Sequence, residues 1–269
     1  MMHFFPSRTV ALDILGLQVH WYGIMYAIGA LLGLYLLPRI QTERDLRLSS
    51  DEWLTVVTVV MIGIVVGGRL GYVLFYEPLH FLQHPLDVFA VWKGGMASHG
   101  GFIGVTLALF YLSRRLEVDV RTLADLVIIP VAIGLALGRI GNFINQELYG
   151  TPTSLPWGIA IPGVPGLRHP TQMYAVLKDL TIAVICFLYL RHARPIVPGR
   201  TVALFLMLYG VLRFLIEFIR VDGYPPIVVL GLTFTRGQLL TIPIFFAGVF
   251  LWIVLGSTRL RRMILREGG

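Results

Sequence analysis

Residues 126–150 read LVIIPVAIGLALGRIGNFINQELYG. The stretch is apolar or small as far as Gly138, and then Arg139, Asn142, Asn145, Gln146 and Glu147 fall within nine residues. Extended back to residue 123, the apolar run 123–141 approaches the roughly 20 residues that a bilayer-crossing helix needs. Polar groups at the end of such a run require either partners or water. The questions of fold and of function therefore begin at the same place.

Six further runs have the same character: 19–38, 53–76, 96–113, 172–190, 201–219 and 237–256. Hydrophobic residues make up 56% of the chain and charged residues only 14%, against roughly a quarter charged in soluble domains. Mean hydropathy is +0.77. These values predict an all-α polytopic membrane protein of about seven transmembrane helices, a single membrane domain over 1–269 in contact with the lipid bilayer. The longest extramembrane connection, 142–171, is rich in Pro and Gly and reads as an ordered external cap with turns. A shorter connection, 77–95, carries Phe81, Phe89 and Trp92 and suits an interfacial piece. The N-terminal residues lack the basic, apolar and small-residue sequence of a cleavable signal peptide.

The 22 Lys and Arg residues sort by connection. Thirteen lie in 39–52, 114–122, 191–200 and the tail, five lie in the alternate connections, and Arg69, Arg139, Lys178 and Arg213 belong to spans. By the positive-inside rule the N-terminus is external and the C-terminus cytoplasmic. The formal charge of +7 then reflects topology and anionic lipid, with no need for nucleic acid. The lone Cys186 excludes an internal disulfide and zinc held by cysteines. No zinc-protease, serine-hydrolase or phosphate-loop pattern occurs, so neither a metal nor a cofactor is expected.

Given this topology, the unusual polar residues share one depth, near the outer leaflet. Trp21 and Tyr22 open the first span, Arg69 lies about two turns below the outer end of the second, and His99 begins the third. Arg139 and Asn142 close the fourth, and Gln146 joins their face if the helix continues that far. Tyr209, Arg213, Glu217 and Arg220 follow spacings of 4, 4 and 3 and share a face of the sixth. Two polar stripes at one depth predict a cavity, since ionisable groups in a membrane ordinarily face a bundle interior or a wet site. Arg69 is balanced between this reading and simple pairing with the helix dipole and headgroups. Guanidinium forks match phosphate oxygens, and Gly100 beside His99 leaves backbone N–H groups open to an anion. The natural phosphate at this depth is a phospholipid headgroup, with Asn142 and Asn145 available to its hydroxyls.

At these residues the sequence resembles the prolipoprotein diacylglyceryl transferases of bacterial inner membranes. HWYGIMY (20–26), GGRLGYVLFY (67–76), GGMASHGGFIG (94–104), GRIGNFINQELYG (138–150), RHPTQMY (168–174) and LYGVLRFLIEFIR (208–220) are similar to that family's blocks and stand in its order. GQLLTIPI (237–244) extends the resemblance into the last span. The resemblance implies a multi-pass inner-membrane enzyme with a periplasmic N-terminus and cap. It would move the diacylglyceryl group of phosphatidylglycerol to the lipobox cysteine thiol of a preprolipoprotein signal peptide, forming a thioether and releasing glycerol phosphate. It further implies that Arg139 binds phosphatidylglycerol, and that Tyr22, His99, Asn142, Glu147, Gly150, Tyr209, Arg213 and Glu217 belong to the site, to which the polar stripe adds Arg220 and the glycine beside His99 adds Gly100. His99 is the candidate base, since neutral imidazole accepts a proton near neutral pH; Glu147 either orients Arg139 or serves as base itself. Departures fall after Gly150, where the connection is short, and at VDGYPP after Arg220.

The sequence also admits two rival readings. A lipid or anion transporter predicts polar residues running on toward the cytoplasmic side, where only Lys178 and Asp179 stand among Leu, Val and Ile. A phospholipid hydrolase would share the pocket but use water as nucleophile.

Overall fold

The computed structural model describes residues 9–14, 17–91, 94–221, 225–229 and 231–267, except the side chains of 98, 99 and 258–267. It is mostly helical. A hairpin of β1 (Val10–Ile14) and β2 (Leu17–His20) leads into α1 (Trp21–Ile40), followed by α2 (Ser50–Phe75), the short α3 (Pro78–Gln83), α4 (Ser98–Arg115) and α5 (Val120–Asn145). Two-residue strands β3 (Ile159–Ala160) and β4 (Leu167–Arg168) pair before α6 (Thr171–His192) and α7 (Arg200–Glu217). The hairpin β5 (Ile227–Val229) and β6 (Leu232–Phe234) precedes α8 (Arg236–Glu267).

Among the described residues, five helical segments are long and apolar enough to cross a membrane: Trp21–Arg44, Ser50–Phe75, Val120–Asn145, Thr171–His192 and Arg236–Ser257. Large apolar side chains such as Leu31, Phe75, Leu107 and Phe250 are exposed along the helices, while Asn142, Gln172, Lys178, Asp179 and Glu217 are buried. This inversion of the soluble pattern suits a lipid surround. The two helices outside that set, α4 and α7, are 18 residues each. Arg114 and Arg115 close α4, and α7 carries Arg200, Arg213 and Glu217. The expected third and sixth apolar runs are thus present as helices, and their polar residues are what separates them from the other five.

The chain forms two compact units, 33–124 and 1–32 with 125–269. In the first, α2 begins with a capping box: Glu52 N–H donates to Ser49 Oγ at 3.3 Å and Ser49 N–H donates to the Glu52 carboxylate at 2.7 Å. The Gln41 side chain ties the preceding turn together, accepting from Leu48 N–H and the Trp53 indole and donating to the Pro38 carbonyl. Further along α2, Gly63, Gly67 and Gly71 meet Gly100 and Gly104 of α4 and Ala97 just before it so closely that a Cβ on Gly67 or Gly104 would run into backbone. Small residues at this spacing let two helices approach within backbone contact.

Arg69 resolves as a structural residue of this unit. Its guanidinium, 5% exposed, donates to the carbonyls of Asp87, Val88, Ala90, Gly94 and Gly95. All five donors of the fork are taken by the connection 87–95. The segment expected to hold an interfacial piece forms α3 and the tight turn Pro85–Phe89; Phe81 is buried against Arg69 and Phe89 is exposed. Trp92 lies outside the described residues.

In the second unit, Asp125 is fully buried and accepts from Gly199 N–H at 3.0 Å and Val202 N–H at 3.1 Å, holding the start of α7. A carboxylate satisfying helix N-terminal donors is favoured by their number and by the helix dipole. α7 packs on α8 through Gly210 against Phe245 and Gly248 against Met207.

Candidate active site

The site is built where α5 ends. The helix stops at Asn145, and Gln146 and Leu148 both take left-handed backbone, φ 57°. Gln146 therefore leaves the face of Arg139 and Asn142, and the expected stripe ends one turn early. A bulky residue such as Leu148 holds that conformation only when its surroundings fix it. Here the first turn of α6 does so: Thr171 Oγ1 donates to the Leu148 carbonyl at 2.7 Å and Gln172 Nε2 donates to the Glu147 carbonyl at 2.5 Å.

The turn brings the Glu147 carboxylate into a polar network. Tyr22 Oη donates to Glu147 Oε2 at 2.9 Å, Asn142 Nδ2 donates to the same oxygen at 3.3 Å, and Asn145 Nδ2 donates to Oε1 at 3.0 Å. Asn142 Nδ2 also donates to Tyr22 Oη, while its Oδ1 accepts from Arg139 Nη1 at 3.2 Å. The contact between Arg139 and Glu147 anticipated from their proximity runs through the Asn142 amide. Gly141 makes room for this arrangement, since a Cβ there would meet the Tyr22 ring at 2.9 Å.

Beyond the turn the chain is extended and paired on both sides. Thr151 N–H donates to the Ile219 carbonyl and Val221 N–H to the Tyr149 carbonyl, while Gly150 N–H donates to the His169 carbonyl and Thr153 N–H to that of Leu167. Residues 149–153 are thus held between the end of α7 and the segment before α6. At the crossing, a Cβ on Gly150 would lie 2.6 Å from both the His169 Cβ and the Ile219 carbonyl oxygen. Gly150 is required by this crossing, a backbone role that spacing alone does not reveal.

That pairing sets the basic residues of α7 beside Arg139. One cleft is lined by Arg139, Arg213 and Arg220, with Thr171 and Gln172 and the apolar Leu148, Ala175 and Ile216. Glu217, 2% exposed, pairs with Arg213 one turn before it and lies 3.6 Å from Arg220 Nη1. Its carboxylate rests against Gly237 in the first turn of α8, an end of a helix that favours an anion. Arg220 falls just past α7, bridged to Gly150, yet stays with Glu217. Three guanidinium groups against one paired carboxylate leave the cleft strongly cationic.

Tyr209 sits deeper, stacked on Phe205 at 5.6 Å, with Lys178 Nζ 4.1 Å above its ring. Lys178 pairs with Asp179 in full burial. Gly100 belongs to the α2–α4 crossing. The backbone of His99 lies in the first turn of α4, and its side chain lies outside the described residues. Thr171 and Gln172, in the RHPTQMY block, stand at the start of an apolar run, where a Thr and a Gln read as helix-end residues; that is why spacing did not single them out.

A family model, prolipoprotein diacylglyceryl transferase, matches residues 9–254. A protein of Geobacter sulfurreducens named phosphatidylglycerol–prolipoprotein diacylglyceryl transferase is 42% identical over 248 residues, covering 90% of this chain and 93% of its own. Proteins of the same name from Nitrosomonas europaea and Bordetella bronchiseptica are each 40% identical, over 250 and 261 residues, covering 90% and 94% of this chain and 87% and 97% of theirs.

Proposed function

This chain belongs to the prolipoprotein diacylglyceryl transferase family, and from that premise we propose how its residues carry the reaction in the bacterial inner membrane. The enzyme transfers the diacylglyceryl group of phosphatidylglycerol to the thiol of a prolipoprotein cysteine, the first step of lipoprotein maturation. The sulfur forms a bond to the glyceryl carbon, that carbon's bond to the phosphate oxygen breaks, and glycerol phosphate leaves with the electron pair. The nucleophile belongs to the peptide, which fits a chain whose own cysteine is buried in α6.

The observation that carries the reading is the cleft of Arg139, Arg213 and Arg220 joined through Asn142 to Tyr22 and Glu147. A phosphodiester with one negative charge becomes a monoester with nearly two as the bond breaks. Guanidinium groups already in place stabilise that increase more than they stabilise the bound lipid, which lowers the barrier. Arg139 contacts the phosphate, Arg213 and Arg220 add charge and are held by Glu217, and the Asn142 amide keeps the Arg139 fork aimed. The thiol needs a base; His99 takes that proton, while Glu147, engaged by Tyr22, Asn142 and Asn145, orders the network.

The membrane reading follows the same residues. α4 and α7, 18 residues each, span about 27 Å at 1.5 Å per residue, close to the roughly 30 Å hydrocarbon core. Counting them gives seven spans, with the N-terminus and the cap at 142–171 periplasmic and the C-terminus cytoplasmic. The signal peptide would then enter laterally from the bilayer, its lipobox cysteine at the depth of the cleft.

Arg139→Lys tests the phosphate assignment. Lysine retains the charge and loses the fork, so kcat falls about 10- to 100-fold, the worth of one charge-assisted hydrogen bond, with little change in KM. Wild-type turnover in the purified variant would contradict it.

A further inference from the structure

Gln172, which lines the cleft, carries a buried polar atom that the reaction does not use. Gln172 is 2% exposed, and its two amide ends are in different surroundings. The Glu147 carbonyl is an acceptor, so the end facing it must be the nitrogen, which donates at 2.5 Å. The oxygen is thereby directed away from the strained turn, and Oε1 is buried without a hydrogen-bond partner. A buried acceptor left in that state is costly.

The other side chains lining the cleft offer the complementary chemistry. Arg139, Arg213 and Arg220 can only donate, whereas Thr171 Oγ1 has its one proton engaged by the Leu148 carbonyl. Donors suit phosphate oxygens, which only accept. A headgroup that also bears hydroxyls brings donors of its own, and these need an acceptor beside the phosphate site.

We infer that Gln172 Oε1 accepts a hydrogen bond from a hydroxyl of the lipid headgroup, making Gln172 a specificity-determining residue that distinguishes a polyol headgroup from a phosphate ester lacking hydroxyls. The inference rests on the phosphatidylglycerol reading above and adds to it the side chain that reads the glycerol. Its nitrogen fixes the Glu147 turn while its oxygen is left for the headgroup, so one amide couples headgroup identity to the backbone that carries the Asn142–Glu147 network.

The test uses the purified full chain in mixed micelles with a lipobox cysteine peptide and one of two donors, phosphatidylglycerol or phosphatidyl-1-propanol. The second keeps the charge and three-carbon headgroup but has no hydroxyl. The wild type shows kcat/KM about tenfold higher for phosphatidylglycerol, since the deoxy lipid leaves the acceptor buried and unmet. Gln172→Met brings the ratio close to one. The ratio is taken within one preparation, so a partly folded sample does not alter it. Gln172→Asn, which withdraws the amide by one methylene, is the second arm if the Met variant does not fold, and loses the ratio likewise. A wild-type ratio near one, or variants that keep the wild-type ratio, overturns the assignment while transfer from phosphatidylglycerol stands. Absence of any transfer from phosphatidylglycerol by the wild type overturns the functional reading and this inference with it.

Discussion

Replacing Asn142 by leucine removes three hydrogen bonds at one stroke while nearly conserving shape. Nδ2 donates to Tyr22 Oη and, at 3.3 Å, to Glu147 Oε2; Oδ1 accepts from Arg139 Nη1 at 3.2 Å. The bond to the tyrosine is between neutral groups and is worth about 1 kcal/mol, and the two to charged groups somewhat more. The latter are long, and bonds in one network do not add fully. A loss of about 3–4 kcal/mol in kcat/KM follows, or roughly 10²–10³-fold. Tyr22 still meets Glu147 directly at 2.9 Å, so the fold survives and the loss falls on the aim of Arg139. Asn142→Asp is the companion: it keeps an acceptor for Arg139 but turns an acceptor toward Glu147, setting two carboxylates together. It should be at least as inactive as the leucine variant. The assay follows lipid addition to a lipobox peptide by mass spectrometry, with helicity and thermal midpoint as controls for folding. Leucine at 142 with activity within about threefold of wild type would refute the bridging role, and an aspartate variant far more active than leucine would reduce that role to the acceptor alone.

Other outcomes follow from the same structure. Gly104→Leu, whose side chain would run into the Gly63 backbone, should destabilise by about 2–3 kcal/mol, whereas Gly134→Ala, with nothing within 4 Å, should be silent; thermal aggregation in detergent separates them. Lys178→Met or Asp179→Leu alone strands a buried charge and should cost about 3–5 kcal/mol in denaturant titration, while the double variant recovers most of it. His99→Asn should lower turnover by about 10²–10⁴-fold with the thermal midpoint unchanged; full activity would remove His99 as the base.

The long apolar runs were legible because lipid imposes a length and a composition on any helix that crosses it. α4 and α7 are the instructive cases: both are helices at the predicted places, and both fall short of the other five in apolar character, α4 because Arg114 and Arg115 close it and α7 because of Arg213 and Glu217, which line or support the cleft. Charge spacing on α7 put Arg213 and Glu217 on one face, where they pair, because neighbours four apart on a helix are local geometry. The same reasoning carried Gln146 too far, since the left-handed backbone at 146 and 148 is imposed by Thr171 and Gln172 from another helix. Arg69 was ambiguous because its partners are carbonyls 18 to 26 residues away, which no side-chain pattern records. Gly150 and Gln172 were hidden for the same reason: the space a glycine must leave empty and the end of an amide left without a partner exist only once distant segments have met.

The central claim is chemical, and the mass of the product tests it most directly. Purified protein is incubated with phosphatidylglycerol and a lipobox peptide, with a Cys→Ser peptide in parallel. The account predicts a mass increase of one diacylglyceryl group on the cysteine peptide, stable as a thioether, with an equal amount of glycerol phosphate released and none of the adduct on the serine peptide. Glycerol phosphate released without lipid on the peptide, or no reaction with either, would contradict it.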